Sequence, residues 1–213
     1  MKISSILANP RLYEFSQLCS RGTKYAKIFF EDYIRPQSGH RILEIGCGTG
    51  LIFKYLRRFY PACDCKYVGF DISETYVRFA KRRYGNEAEF YCRRVTPEGL
   101  LDFGKFDTVI SAGVVHHLSN DEALNLFATA RSALKEGGQF IALEPCYKNR
   151  QSPFVRWLLD NDRGEFVRSE PEYVSLAKKV FPRVTSEIRE DMWFIPFTNV
   201  LIVGKNSSPA LHV

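Results

Sequence analysis

Ile42-Leu43-Glu44-Ile45-Gly46-Cys47-Gly48-Thr49-Gly50 is the stretch on which the reading of this chain turns. Apolar residues flank Glu44 and then break into a glycine-rich turn, the pattern of a buried strand feeding a helix. The glycines stand at alternate positions, Gly46, Gly48 and Gly50. A dinucleotide-binding turn places its third glycine one residue further on, so that pyrophosphate rests on the helix N-terminus. Here Leu51 occupies that position. An acidic residue inside the strand, ahead of the turn, suits a ligand that carries an amine better than one that carries a diphosphate.

Outward from the turn, strand and helix patterns alternate. Strands are predicted over 41–45, 67–70, 89–92, 106–111 and 139–143, with helices over 51–59, 74–84 and 121–134. Such alternation with short connections implies a parallel sheet with helices on both faces. Upstream, Leu12, Phe15 and Leu18, then Tyr25, Ile28, Phe29 and Tyr33, recur at three- and four-residue steps, predicting two amphipathic helices separated near Gly22. Ser73 is placed to cap one helix and Asn120 another, and Gly137-Gly138 to end the latter. Beyond 143 the rhythm changes. Residues 147–168 hold Pro153, Trp157 and a polar stretch with little periodicity, followed by a helix over 171–180 and β-rich runs over 184–189 and 198–203.

Asp71 closes the run Tyr67-Val68-Gly69-Phe70-Asp71, about twenty residues beyond the glycine turn, where a ribose-binding acid belongs. A carboxylate there can accept from both ribose hydroxyls. A lone strand-terminal Asp is as often a helix cap; Glu44 and the alternating glycines make it a ligand residue.

Over 41–143 the chain resembles the class I S-adenosylmethionine-dependent methyltransferases, of which 46–50 looks like the first motif. The resemblance implies a Rossmann-like, doubly wound α/β fold with a seven-stranded, mostly parallel sheet, an antiparallel last strand and an N-terminal helical cap. It also implies S-adenosyl-L-methionine as cofactor, with S-adenosyl-L-homocysteine as product. Glu44 then lies near the cofactor's amine, Gly46, Cys47, Gly48 and Gly50 admit the methionine moiety, Asp71 holds the ribose and Ile72 packs on the adenine. The run Phe106-Asp107-Thr108-Val109-Ile110-Ser111-Ala112-Gly113-Val114-Val115-His116-His117-Leu118 looks like the fourth-strand motif of the small-molecule branch. There Ser111, Ala112 and Gly113 line the methionine arm. One departure concerns the third strand: Cys92-Arg93-Arg94-Val95 stands where such enzymes carry an acid near the adenine amine. Backbone atoms would then read that amine, with Arg94 stacked on the base or solvated.

Two readings stand for the histidines. Adjacent histidines leaving a strand are often structural; by position, His116 is the candidate catalytic base, since imidazole titrates where a base is useful. His117, Glu144, Trp157 and Arg163 are the candidate acceptor-binding residues, Glu144 alternatively being a helix-facing or solvent residue. Cys146 after Pro145 has the order seen in cytosine-methylating enzymes, but a buried, inert thiol accounts for it better. The mixed-charge segment 156–173 sits where the family places its acceptor lid. Gln151-Ser152-Pro153, Asp162-Arg163-Gly164 and Ile195-Pro196-Phe197-Thr198 are similar to a group of bacterial methyltransferases of unassigned substrate.

At 213 residues and 45% hydrophobic content the chain suits one domain over 1–204. That domain divides into a helical cap (1–38), a cofactor-binding core (39–145), an acceptor lid insert (146–182) and C-terminal strands (183–204), with a tail over 205–213. No apolar run reaches the eighteen residues of a membrane span, and the N-terminus is too short in apolar residues for a signal sequence, so the expected location is cytoplasmic. The six cysteines read as reduced thiols, and no His/Cys spacing fits a metal. The net charge of +6 is dispersed and not gathered into a block. A small-molecule acceptor is therefore expected as partner; the alternatives are a nucleic-acid methyltransferase, disfavoured by Ser111-Ala112-Gly113-Val114 in place of the Asn/Asp-Pro-Pro-aromatic motif of base-amine methylation, and a non-catalytic cofactor-binding partner subunit. The oligomeric state is left open.

Overall fold

A computed structural model describes residues 24–162, 164–192 and 197–207. They form two compact units. The first takes the described residues up to Arg94 with those of 190–197, and the second those from Val95 to Arg189 and from Thr198 onward.

In the first unit a helical segment from residue 24 ends in a π-helical turn, Phe29–Ile34, and stops at Arg35, whose φ of 47° is left-handed. Tyr25, Phe29 and Phe30 are buried. The first of the two predicted N-terminal helices, around Leu12–Leu18, lies outside the described residues. Strands β1 (Arg41–Ile45), β2 (Lys66–Asp71) and β3 (Glu89–Cys92) are joined through helices α1 (Leu51–Phe59) and α2 (Glu74–Tyr84). β2 pairs in parallel with β1 on one side and with β3 on the other. Ile42, Leu43, Tyr67, Val68 and Phe70 are all buried, the near-continuous burial of strands covered on both faces. Ser73 caps α2 as expected, its hydroxyl accepting from the Tyr76 N–H. One expectation fails: Cys63 and Cys65 form a disulfide, while Cys47, Cys92 and Cys146 are free. Their Cα atoms lie 5.4 Å apart, a separation that a disulfide spans readily.

The second unit contains β4 (Phe106–Ala112), α3 (Asn120–Ala133), β5 (Leu134–Tyr147), α4 (Pro153–Asp160), β6 (Arg168–Ser169), α5 (Glu170–Lys178), β7 (Arg183–Arg189) and β8 (Asn199–Lys205). β4 runs parallel to β5, β8 antiparallel to β5, and β7 antiparallel to β8. The last strand is thus antiparallel, as the resemblance implied. The short β6, paired in parallel with β5, adds an eighth strand to the seven expected.

Two helix ends differ from the sequence reading. Ser119, not Asn120, caps α3: its hydroxyl accepts from the Glu122 N–H while the Glu122 carboxylate accepts from the Ser119 N–H, a reciprocal capping box. At the other end Leu134 is already extended (φ −78°, ψ 145°), so Gly137-Gly138 forms a turn inside β5 and not a helix cap. Gly137 donates to the Asn206 carbonyl and Gly138 accepts from the Asn206 N–H. Within the insert, Ser152 caps α4 and Pro153 opens it, a start signal hidden by the lack of apolar period.

Phe127, Phe140 and Phe181 meet in the core of this unit, with Phe140 and Phe181 stacked at 5.3 Å. Gly204 on β8 gives Phe181 its place, since a Cβ there would lie 2.6 Å from the ring. We predict that Gly204→Ala destabilises the protein by about 1–3 kcal/mol through overpacking, read as a lower urea midpoint with an unchanged slope.

Candidate functional site

In the first unit the candidate residues gather at the turn between β1 and α1. Gly46, Gly48 and Gly50 have φ of 82°, 53° and 78°. All three lie in the left-handed region where a Cβ is costly, which explains glycine at each alternate position. The turn is tied to the end of β2. Gly46 and Cys47 donate to the Phe70 carbonyl at 2.7 and 2.9 Å, and Gly48 donates to Asp71 Oδ2 at 2.8 Å. Asp71 Oδ1 accepts from the Ser73 N–H, also at 2.8 Å. One oxygen of this carboxylate thus holds the turn and the other the start of α2, taking two of its roughly four lone-pair positions.

Glu44 is buried and receives the Tyr67 hydroxyl proton. The Cys47 thiol is pushed well above its ordinary range by burial and by the charges of Glu44 and Asp71, so it stays neutral. The Thr49 hydroxyl is buried without a hydrogen-bond partner, and Ile72 is 74% exposed at the end of β2. A buried donor awaiting a partner, an exposed apolar side chain and two carboxylates match a ligand with hydroxyls, an amine and a flat apolar base. S-adenosyl-L-methionine has these groups.

In the second unit the candidate residues close or follow β4. Ser111 is fully buried with an unpartnered hydroxyl, Ala112 ends the strand, and Gly113 (φ 74°) donates to the Leu143 carbonyl at 2.9 Å. A 3₁₀ turn, Val115–His117, follows. Glu144 on β5, for which an acceptor-binding role stood beside a helix-facing or solvent one, is 0% exposed and organises this turn. Its Oε1 accepts from the Val114 and Val115 N–H groups at 3.1 and 3.0 Å. Its Oε2 accepts from the His116 N–H at 3.3 Å and faces His116 Nδ1 at 2.7 Å.

The other ring nitrogen of His116, Nε2, lies 3.2 Å from Asp162 Oδ1. Burial favours the neutral ring, but the hydrogen bonds and charges of Asp162 and Glu144 outweigh it and raise His116 to about 9. Each ring nitrogen faces a carboxylate, which favours the protonated ring.

Asp162 is the end of a second set of contacts. Its carboxyl is held below the ordinary range, burial being outweighed by His116 and by the Gly164 N–H. Gly164 packs against the His116 ring so closely that a Cβ would fall 1.9 Å from Cδ2. Phe166 donates to the His116 carbonyl at 2.8 Å. Arg168, also buried, donates to the carbonyls of Val115, Phe166 and Leu118 and to Asn120 Oδ1. The insert is thereby fastened to the turn after β4.

The structure thus gathers Glu44, Gly46, Cys47, Gly48, Gly50 and Asp71 around one turn, with Ile72 beside them, and His116, His117 and Glu144 around another. The His117 ring lies 4.1 Å from that of His116 and is exposed. Trp157 is 59% exposed on α4 and stacks on Phe154 at 6.4 Å. Arg163 lies outside the described residues. Cys146 is buried and its thiol is pushed up to about 12, fitting the inert reading. Beside β3, Arg93 lies over the Phe70 and Tyr91 rings. Sequence reasoning missed the roles of Tyr67, Asp162, Gly164 and Arg168; a glycine between charged residues was the only signal among them.

Residues 42–138 match the family described as methyltransferase domain. A ubiquinone biosynthesis O-methyltransferase of Brucella ovis is 38% identical over 112 residues, covering 51% of this chain and 42% of that protein. The chain thus spans under half the length of this curated relative. The putative methyltransferase from a Haloferax volcanii complex with a methyltransferase activator superposes with a TM-score of 0.69 at 17% identity, over 97% of this chain and 99% of that one. A geranyl diphosphate C-methyltransferase from Streptomyces coelicolor, solved with S-adenosyl-L-homocysteine, superposes with a TM-score of 0.65 at 16% identity, over 87% and 76%. At these identities the structural matches establish the fold.

His116 makes stability pH-dependent. Its folded value of about 9 lies above the ordinary 6.5, so its contribution is complete below pH 6.5 and is lost as pH rises through 9. The urea midpoint should fall across that window, and His116→Gln should flatten the fall. An equal slope in the variant would remove His116 as the cause.

Proposed function

We propose that the chain transfers a methyl group from S-adenosyl-L-methionine to a small-molecule acceptor by in-line displacement, a reading supported by the match of residues 42–138 to the methyltransferase domain family and by the fold shared with solved methyltransferases. The observation that carries this reading is the turn itself: three left-handed glycines, the buried Glu44 ahead of them and Asp71 hydrogen-bonded beneath them. In this reading Glu44 faces the cofactor's amine, the glycine turn accommodates the methionine arm, Asp71 takes the ribose hydroxyls and Ile72 covers the adenine.

The cofactor supplies an already electrophilic sulfonium methyl group. What the chain adds is alignment and exclusion of water, and alignment is the larger contribution. The insert, fastened through His116, Asp162 and Arg168, belongs to the acceptor side, with His117 and Trp157 as its exposed candidates. His116 serves as the cation that holds the insert. The acceptor therefore arrives with its nucleophilic atom ionised or neutral and reactive. The name of the Brucella relative supports an oxygen acceptor as the first class to assay.

S-adenosyl-L-homocysteine at a hundred times its Kd should stabilise the protein by about 2.7 kcal/mol, seen as a rise in Tm that NAD does not produce. A shift with NAD alone would overturn the proposal. Asp71→Ala should weaken binding by about 1–3 kcal/mol through lost charged hydrogen bonds. Unchanged affinity in calorimetry would remove Asp71 from the ribose.

A further inference from the structure

Tyr67 lies on β2 in register with Ile42 of β1, and Glu44 is two residues further along the same face. Residues so placed on neighbouring parallel strands are diagonal neighbours, about 8 Å apart at their backbones, one strand spacing across and two residues along, and within reach of a long aromatic side chain. The Tyr67 hydroxyl uses that reach to donate to Glu44 Oε2. Its own position is fixed by packing: Phe53 lies 5.0 Å and Phe90 5.8 Å from its ring, and the residue is buried. Burial and the Glu44 charge push the phenol well above its ordinary range, so it remains a donor at any working pH.

The last torsion of a glutamate is broad and roughly two-fold, so packing alone sets the direction of its carboxylate poorly. A donor anchored in an aromatic cluster sets it well. From this juxtaposition we infer that Tyr67 is a positioning residue for cofactor binding: it fixes the rotation of the Glu44 carboxylate and so the direction in which Glu44 presents its charge to the cofactor's α-amine. The inference rests on the cofactor reading above. It assigns a function to a side chain that otherwise reads as core, and it separates two roles within the turn. Asp71 serves the ribose, while Glu44 and Tyr67 together serve the amino-acid end.

The test compares two ligands by calorimetry: S-adenosyl-L-homocysteine, and its deamino analogue, which keeps the carboxylate and lacks only the α-amine. Tyr67→Phe should weaken S-adenosyl-L-homocysteine by about tenfold, the scale of one hydrogen bond to a charged group, and leave the deamino analogue within about twofold. Equal weakening of both ligands means that Tyr67 only supports the fold, and it overturns the inference, as does unchanged binding of both. On the Glu44→Gln background the same substitution should no longer change the preference for the amine-bearing ligand; a full tenfold change there also overturns it. Should Tyr67→Phe not fold, p-aminophenylalanine at this position keeps the ring and a weaker donor. It should reduce the preference for the amine, and an unaltered preference overturns the inference. If the wild-type protein binds neither ligand, the cofactor reading falls first and this inference with it, an outcome distinct from the others.

Discussion

A single buried carboxylate organises the second unit. Glu144 has no access to solvent, and an unpartnered acid in that position would be costly. Its oxygens take three consecutive backbone N–H groups, of Val114, Val115 and His116, together with the His116 ring. Those N–H groups belong to a tight turn just after a strand, where no sheet partner is present to receive them. One side chain on β5 thus satisfies the turn after β4 and orients an imidazole in the same step. Everything on the insert that touches His116 depends on that orientation.

The contrast with Glu44 is instructive. Both acids sit in strands, both are buried and both are met by an aromatic or heteroaromatic side chain. Glu144 is enclosed by four donors of its own chain and so reads as architecture. Glu44 stands just ahead of a turn built on three left-handed glycines and is met by the Tyr67 hydroxyl.

Much of the first unit was legible because its information is local. Apolar runs, alternate glycines and the Ser73 cap are short-range signals, and the bounds of β1, α1, α2 and β3 coincide with those read from sequence. Errors arose where two local signals competed. Ser119 and Asn120 are both good caps, and only the reciprocal contact with Glu122 chooses between them. Gly137-Gly138 suits a helix end or a strand turn equally, and pairing with Asn206, far along the chain, decides. The imidazolium state of His116 was out of reach for the same reason. It requires Glu144, 28 residues along the chain, and Asp162, beyond α3, β5 and α4, to arrive on opposite edges of one ring.

β5 and β6 pair at Cys146 with Arg168 and at Tyr147 with Ser169, which closes the intervening segment at its base like a clasp. The second fastening, through Asp162, Gly164 and Phe166 onto His116, lies just inside it. Between Tyr147 and Asp162 the chain is thus a cassette with fixed terminals. Its length and composition can drift at small entropic cost, since doubling a loop costs only about 0.6 kcal/mol. Neither the turn after β4 nor the glycine turn needs to change with it. A scaffold built this way can exchange one helix, with Phe154 and Trp157 exposed on its surface, while both turns stay as they are.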